Sequence, residues 1–224
     1  MTQSPSNQEH NLTKAVVFDL GGVLIELHSA KARRELVDEY GILPERFDAL
    51  TRSCFTSSRR SITERAMIGA VTTSEYLASF SRECARKDIE GIRYNRLSVI
   101  GRERRTVFGV VNRLRKRGLI CCVLSNTIAL HWERLKSKRE YPLLGEFEHV
   151  FASHLIARAK PLKSAFSFVA NALGIRMSEC LLVDDTLLNV DRAKAAGWRG
   201  LLFRDAASLQ RELSPLLRRD SRSP

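Results

Sequence analysis

Carboxylates, a lysine and small hydrogen-bonding side chains occur at four places along the chain, each at the end of a predicted strand or in the loop beyond it: Asp19, Ser125 with Asn126, Lys160, and Asp184 with Asp185. Asp19 directly follows the apolar run 15–18 and precedes Gly21 and Gly22. An unpaired carboxylate in a protein core costs several kcal/mol or becomes neutral, so we expect Asp19 at the carboxyl end of its strand. The glycines allow close approach of the backbone. This pattern predicts that Asp19 is a nucleophile, a metal ligand, or both.

Each of the other polar positions has an ordinary structural explanation when taken alone. Ser125 suits a helix N-cap and Lys160 suits a solvated surface, while Asp184 and Asp185 suit a turn and Asn189 suits an exposed helix position. The carboxyl ends of parallel strands, however, meet at one edge of a sheet. The sequence therefore favours one composite site built from these residues.

The elements that must position these residues alternate between strand and helix. Strands are predicted near 14–20, 119–124, 147–152, 180–183 and 201–203, with helices between them, including a basic helix over 99–117. This alternation predicts an α/β fold with a doubly wound parallel (Rossmann-like) sheet. The stretch 44–95 has helical apolar spacing and no strand pattern, so it predicts an inserted small helical cap domain. The expected organisation is a disordered leader (1–13), an α/β core (14–28 and 96–213), a helical cap (29–95) and a basic tail (214–224).

Composition narrows the choice of compartment and partner. The chain has 224 residues, a net charge of +12 and 7% aromatic residues, and it contains no apolar run long enough to span a bilayer. Its five cysteines form no CxxC pair and are expected to be buried thiols in a reducing compartment, which points to the cytoplasm. The positive charge suits nucleic acid or small anions, but basic and aromatic residues are not interleaved. A small phosphorylated metabolite is therefore favoured as the partner over nucleic acid.

The motifs resemble those of the haloacid dehalogenase superfamily. The runs Phe-Asp-Leu-Gly-Gly-Val, Leu-Ser-Asn-Thr, Lys-Pro and Asp-Asp-x-x-x-Asn match, in order, the pattern of its helical-cap phosphatase branch, which includes sugar-phosphate phosphatases and the phosphatase lobe of soluble epoxide hydrolase. The likeness extends from about residue 14 to 203. It implies a Mg²⁺-dependent phosphoric monoester hydrolase that works through an aspartyl-phosphate.

The resemblance also implies a role for each matched residue. Asp19 would be the nucleophile, with Lys160 as a catalytic cation that also binds phosphate together with Ser125 and Asn126. Asp19, the Gly21 carbonyl and Asp185 would hold Mg²⁺, an ion that prefers oxygen ligands. Asp184 and Asn189 would support the site, Asp184 by orienting either Lys160 or the waters of the metal.

The sequence departs from the superfamily at Gly21. Most phosphatases of the superfamily carry at this position a second aspartate that acts as general acid and base, and its loss costs about 10²–10⁴-fold in rate. Three explanations stay open: another residue donates the proton, the substrate has a good leaving group, or turnover has been lost. The metal-binding role of Gly21 survives, because that position coordinates through its backbone carbonyl.

Two alternative functions follow from this departure. Hydrolytic dehalogenases also lack the second aspartate, but they need no cation, so Asp184 and Asp185 argue against that reaction. A catalytically weak or silent protein that binds a phosphorylated or nucleic-acid partner is the other alternative. The cap is expected to select the substrate. Its arginines, such as Arg59, Arg60 and Arg65, could contact an anion, although solvated positions are expected for most of them.

Overall fold

The computed structural model describes residues 13–55 and 57–218 and confirms the predicted α/β fold. Five parallel strands form the main sheet: β1 Ala15–Phe18, β4 Ile120–Ser125, β5 Val150–Ala152, β6 Cys180–Asp184 and β7 Arg199–Leu202. Their order across the sheet is β5-β4-β1-β6-β7. The chain runs from β1 outward to β5 and then crosses to β6 on the other side of β1. Since ligands of open α/β sheets bind where the strand order reverses, the carboxyl end of β1 is the expected position of a site.

Twelve α-helices accompany the strands in the described part of the chain. They are α1 Ser29–Asp38, α2 Pro44–Thr51, α3 Ile62–Met67, α4 Thr73–Glu83, α5 Ile89–Ser98, α6 Arg105–Arg115, α7 Ala129–Leu135, α8 Ser153–Ile156, α9 Lys163–Ala172, α10 Leu187–Ala195, α11 Ala206–Glu212 and α12 Ser214–Leu217. Short 3₁₀ turns occupy Leu144–Glu146 and Met177–Glu179. Buried side chains of β1, β4 and β6 alternate between two apolar clusters, one on each face of the sheet. The central strands are therefore covered on both faces, which explains their continuous apolar sequences.

A second, two-stranded sheet joins the core to the helices α1–α5, which form the helical lobe. Strand β2 (Ile25–Leu27) leads out of the core, and β3 (Ile100–Glu103) leads back and pairs with it antiparallel. The lobe has its own apolar cluster, which also includes Ile128 and Leu130 at the start of α7. The lobe is therefore packed onto the core as well as tethered to it.

The prediction of one basic helix over 99–117 is wrong at its start, because β3 occupies its first turn and the helix α6 begins only at Arg105. Residue Ile100 pairs with Leu27, and Glu103 pairs with Ile25. At Gly101 a Cβ atom would lie 2.8 Å from the Glu26 carbonyl oxygen, so the two strands approach closely there. This pairing partner lies far away in sequence, and helical spacing alone carries no signal of it.

Several other expectations concern exposure and the chain ends. Four of the five cysteines are buried, Cys54 is partly exposed, and none forms a disulfide in the described residues. The predicted leader 1–13 lies outside the described residues except for Thr13, as does the tail beyond 218. Within 13–55 and 57–218, no helix has the length and apolarity that crossing a bilayer requires. The boundaries between core and cap stay predictions.

Glu179 joins the starts of β1 and β6 by ionic contacts. Its carboxylate lies 3.0 Å from Lys14 Nζ and 2.9 Å from Arg176 Nη2, and it accepts a 2.8 Å hydrogen bond from the Arg176 backbone N–H. The hydrogen bonds from Arg176 and the Lys14 contact lower the pKa of Glu179 to about 2. The ionised carboxylate is therefore favoured by the folded state.

We predict that Glu179→Gln lowers the thermal unfolding midpoint at pH 7, with an effect that disappears in acid. A depressed carboxyl pKa stabilises the fold above the unfolded-state pKa of about 4.5, and this contribution is lost as the pH falls toward about 2. Melting curves of wild type and variant at a series of pH values test this. A difference in midpoint that stays constant from pH 7 down to pH 2 would contradict the ionic role.

Candidate active site

Asp19 lies at the carboxyl end of β1, between the ends of β4 and β6. Its backbone N–H donates a 2.8 Å hydrogen bond to the Val183 carbonyl, so the ladder between β1 and β6 continues one residue past the strand. This bond fixes the backbone from which the carboxylate projects. The side chain is largely buried, with 13% of its surface exposed. An aspartate this enclosed needs compensating charge.

Lys160 supplies that charge. Its Nζ lies 2.8 Å from Asp19 Oδ1 and 2.6 Å from Asp184 Oδ2, and its side chain is 1% exposed. Burial acts to lower the pKa of Lys160, but the two carboxylates outweigh it and raise that pKa above the ordinary value. Lys160 is therefore a permanently charged cation held between two acids.

The side chain of Asn126 fixes the backbone of Lys160. Asn126 Nδ2 donates to the Lys160 carbonyl at 2.7 Å, and the Lys160 N–H donates to Asn126 Oδ1 at 2.9 Å. Asn126 follows Ser125, the buried last residue of β4. This reciprocal pair joins the end of β4 to the loop that carries Lys160. The sequence predicted Asn126 as a phosphate ligand and gave no indication of this positioning contact.

Asp184 and Asp185 end β6, but their environments differ. Asp184 is fully buried and accepts hydrogen bonds from Lys160 Nζ, from the Thr186 N–H at 2.9 Å and from Asn189 Nδ2 at 3.0 and 3.1 Å. Its oxygens are occupied by these donors. The carboxylate of Asp185 is open to solvent and accepts a long 3.4 Å hydrogen bond from the Thr186 hydroxyl. Asp185 is thus the more available metal ligand of the two.

Gly22 makes room for Asp185. It adopts a φ of +84°, and a Cβ atom built there would overlap the Asp185 carboxylate. Both the backbone conformation and the close approach therefore require glycine. Gly21 differs, because its Cβ would meet only the tip of the Leu27 side chain at 3.0 Å.

The three carboxylates form one acidic cluster. One oxygen from each of Asp19, Asp184 and Asp185 lies within 4.8 Å of the others, a spacing that suits a hard divalent cation with oxygen ligands. Burial raises the pKa of Asp19 to about 7, with Lys160 opposing this rise and the neighbouring carboxylates adding to it. Partial burial and Asp184 also raise the pKa of Asp185. A positive ion placed here would relieve this repulsion.

A cavity of about 380 Å³ opens over the cluster and collects most of the predicted site residues. Its wall includes Asp19, Gly21, Asn126, Lys160, Asp185 and Asn189. Ser125 lines an adjoining cavity instead, and Asp184 lies buried behind Lys160. The helical lobe contributes Ser53, Cys54 and Met67 to the wall, three residues that the sequence did not single out. The exposed arginines Arg59, Arg60 and Arg65 are absent from it.

Comparison with known proteins gives matches along most of the chain. The sequence of residues 13–197 matches the protein family described as haloacid dehalogenase-like hydrolase. Phosphatase MT3486 of Mycobacterium tuberculosis is 28% identical over 195 residues, which cover 84% of this chain and 86% of that protein. Bifunctional epoxide hydrolase 2 of Rattus norvegicus is 24% identical over 218 residues, and the match covers 89% of this chain but only 38% of the rat protein.

A solved structure shows the same fold. The crystal structure of a HAD family enzyme from Bacteroides thetaiotaomicron, in complex with magnesium and inorganic phosphate, superimposes with a TM-score of 0.71 at 21% identity. The superposition covers 86% of this chain and 94% of that one. At this identity the likeness establishes the fold alone.

We predict that Lys160→Met lowers the free energy of unfolding by about 3–5 kcal/mol, because it leaves two buried carboxylates without their cation. Urea denaturation in EDTA measures this effect without a contribution from bound metal. Lys163→Met is the matched control, since Lys163 is exposed on α9 and has the same side chain. Equal stability of the two variants would show that Lys160 does not compensate the acids.

Proposed function

Because the chain belongs to the haloacid dehalogenase-like hydrolase family, we propose that it is a Mg²⁺-dependent phosphatase that hydrolyses a small phosphorylated metabolite, such as a sugar phosphate. The observation that carries this proposal is the position of the Asp19 carboxylate, 2.8 Å from Lys160 Nζ and beside two further carboxylates. The phosphatase relative from M. tuberculosis and the magnesium and phosphate of the B. thetaiotaomicron complex support it.

The donor set fits Mg²⁺. Asp19 and Asp185 offer accessible carboxylate oxygens, and the Gly21 carbonyl is proposed as a third protein ligand. Asp184 would act from behind, by holding Lys160 in place. Mg²⁺ bound here supplies positive charge that keeps Asp19 ionised and neutralises phosphoryl oxygens.

The reaction proposed for this geometry has two steps. Asp19 Oδ1 is engaged by Lys160, so Asp19 Oδ2 is the oxygen that attacks phosphorus. A P–O bond to Asp19 forms as the bond to the leaving oxygen breaks, and Lys160 and the Ser125 hydroxyl bind the phosphoryl oxygens. Water then attacks phosphorus, releases inorganic phosphate and regenerates the Asp19 carboxylate.

The position of the missing acid bears on the choice of substrate. In the described walls of this cavity and the adjoining one, the carboxylates are Asp19, Asp185 and Asp48. Asp48 is held by Arg33 through hydrogen bonds of 2.9 and 3.0 Å. Among these wall residues, no uncommitted carboxyl group therefore stands in for an aspartate at Gly21. Of the three explanations for Gly21, this argues against donation of the proton by another carboxyl group of these walls.

We predict that Asp19→Asn abolishes hydrolysis of p-nitrophenyl phosphate in the presence of Mg²⁺, with a loss of about 10⁴-fold or more, because a neutral amide cannot replace the carboxylate as the nucleophile. Addition of EDTA to the wild type is expected to stop turnover as well. Release of p-nitrophenol, followed by absorbance, measures both effects. Asp191→Asn is the matched control, because Asp191 is exposed on α10.

The outcomes separate the alternative functions. Equal turnover in wild type and Asp19→Asn would remove the catalytic proposal and leave a protein that only binds phosphorylated ligands or nucleic acid. Hydrolysis of 2-haloacids that survives EDTA would instead establish dehalogenation.

We predict that Gly21→Asp raises kcat for an alkyl phosphate by up to about 10²-fold, because it supplies the general acid that a poor leaving group needs. The backbone at Gly21 has no positive φ, and a Cβ atom there would come closest to the Leu27 side chain, at 3.0 Å. Turnover of p-nitrophenyl phosphate should change far less, since its leaving group needs no proton. Gly21→Asn, which has the same shape and no acidic proton, is the control, and an equal gain in both variants would refute the acid role.

A further inference from the structure

A second cavity, of about 460 Å³, continues the active-site cavity between the helical lobe and the core. The two cavities share five wall residues: Gly21, Leu27, Ser53, Met67 and Asn126. Eight of the other eighteen wall residues are aliphatic or phenylalanine, among them Phe47, Val99 and Leu135. A phosphate ester bound at Asp19 would place its leaving group in this space.

One cation in the wall of this cavity has no counterion within the described part of the chain. Arg96 is 7% exposed, and its Nη1 has no hydrogen-bond partner among the described residues. Its Nε donates a 3.3 Å hydrogen bond to the Tyr76 hydroxyl, and its guanidinium lies 5.1 and 5.6 Å from the ring centroids of Phe80 and Phe47. The burial of Arg96 is therefore compensated by a neutral hydroxyl and two aromatic rings.

Arg33, a second arginine in the same wall, has a counterion within the protein. Arg33 is bound by both oxygens of Asp48. Contacts with aromatic rings stabilise a cation by less than the cost of taking an ion out of water. Arg96 is therefore incompletely compensated in the free protein, and an anion in the cavity would complete its environment.

Unsatisfied hydroxyl groups are found in the same wall. Six buried side-chain polar atoms in the described residues have no hydrogen-bond partner, and three of them belong to residues that line this one cavity: Arg96, Thr63 and Thr127. A buried polar atom without a partner destabilises the fold, so such atoms are rare unless a ligand satisfies them. Their concentration in one wall, beside the reaction site, points to a polar ligand group.

The charge of the wall selects the kind of anion. Arg33 and Asp48 neutralise each other, and His131 Nε2 donates a 2.9 Å hydrogen bond to the Arg96 carbonyl. Burial, together with the charge of Arg96, lowers the pKa of His131 to about 3, so His131 is neutral. The wall therefore carries one net positive charge, which matches a monoanion.

We propose that this cavity binds a leaving group that carries a carboxylate, held by Arg96 and the hydroxyls of Thr63 and Thr127. The substrate class would then be phosphomonoesters with an apolar middle and an acidic far end. This inference rests on the proposed function, since it assigns the other half of the same substrate.

The test compares substrates with the same reacting group. Phenyl phosphates with a para carboxymethyl or carboxyethyl chain are compared with their methyl esters, so that only the distant charge differs. We expect wild type with Mg²⁺ to prefer the acids by about 10- to 100-fold in kcat/KM, the range of one charge-assisted hydrogen-bonding group. Arg96→Met is expected to bring the ratio close to one, mainly by raising KM for the acids.

Matched variants separate binding from folding. Arg93→Met removes the same charge from an exposed position of α5 and should keep the preference. Thr127→Val keeps the shape, and because the hydroxyl has no partner among the described residues it should fold normally while the preference falls. If Arg96→Met does not fold, as a melting curve would show, the wild-type ratio and Thr127→Val decide the question.

The possible failures are distinguishable. Wild type that hydrolyses acid and ester equally well would overturn this inference and leave the phosphatase proposal intact. The inference also fails if Arg96→Met folds and keeps the preference, because Arg96 would then have a structural role only. Absence of turnover with these substrates and with p-nitrophenyl phosphate would refute both proposals.

Discussion

The buried ammonium group of Lys160, bound between Asp19 and Asp184, is the interaction on which the rest of this structure depends. A buried lysine and two largely buried carboxyl groups are tolerated only when their charges and hydrogen bonds are satisfied together. The surrounding residues do this: Asn126 fixes the lysine backbone, and Asn189 and the Thr186 N–H complete the shell of Asp184. The carboxyl groups of the cluster outnumber the lysine, and Asp19 and Asp185 line the cavity, so a cation bound there would offset the excess of acidic groups.

The sheet provides the precision that this arrangement needs. Because β1 lies between β4 and β6, the residues that follow these three strands lie next to one another although they are far apart in sequence. The register of the two strand pairs fixes the position of each residue along the sheet edge. The loop after β1 must then bend away without covering Asp185. Gly22 meets this demand, since its positive φ and missing side chain leave the space that the carboxylate occupies.

The sequence was sufficient to predict the sheet and its acidic edge, because these depend on strong local signals. Apolar runs end in polar residues, and parallel topology then brings the ends together. The pairing of β2 with β3 was missed because each strand is short and its partner is remote. Arg96 was missed for another reason. It follows Ile92 by one helical turn on the buried face of α5, so the helical spacing did contain a signal. In a chain with 37 lysines and arginines, that spacing does not distinguish Arg96 from an ordinary surface arginine. Only the structure distinguishes Arg96, buried without a counterion among the described residues, from Arg93, solvated on the same helix.

The helical lobe forms part of the wall of the outer cavity. Both strands of the small sheet contribute to the outer cavity, through Leu27 of β2 and Ile100 of β3, so the space exists only while lobe and core remain in contact. The apolar cluster that the lobe shares with Ile128 and Leu130 maintains this contact. Arg96 is buried beside this interface, where its charge acts over a longer range than it would in bulk water. The cavity proposed for the leaving group therefore depends on the packing of the lobe onto the core, because Arg96 and Thr63 come from the lobe and Thr127 comes from the core.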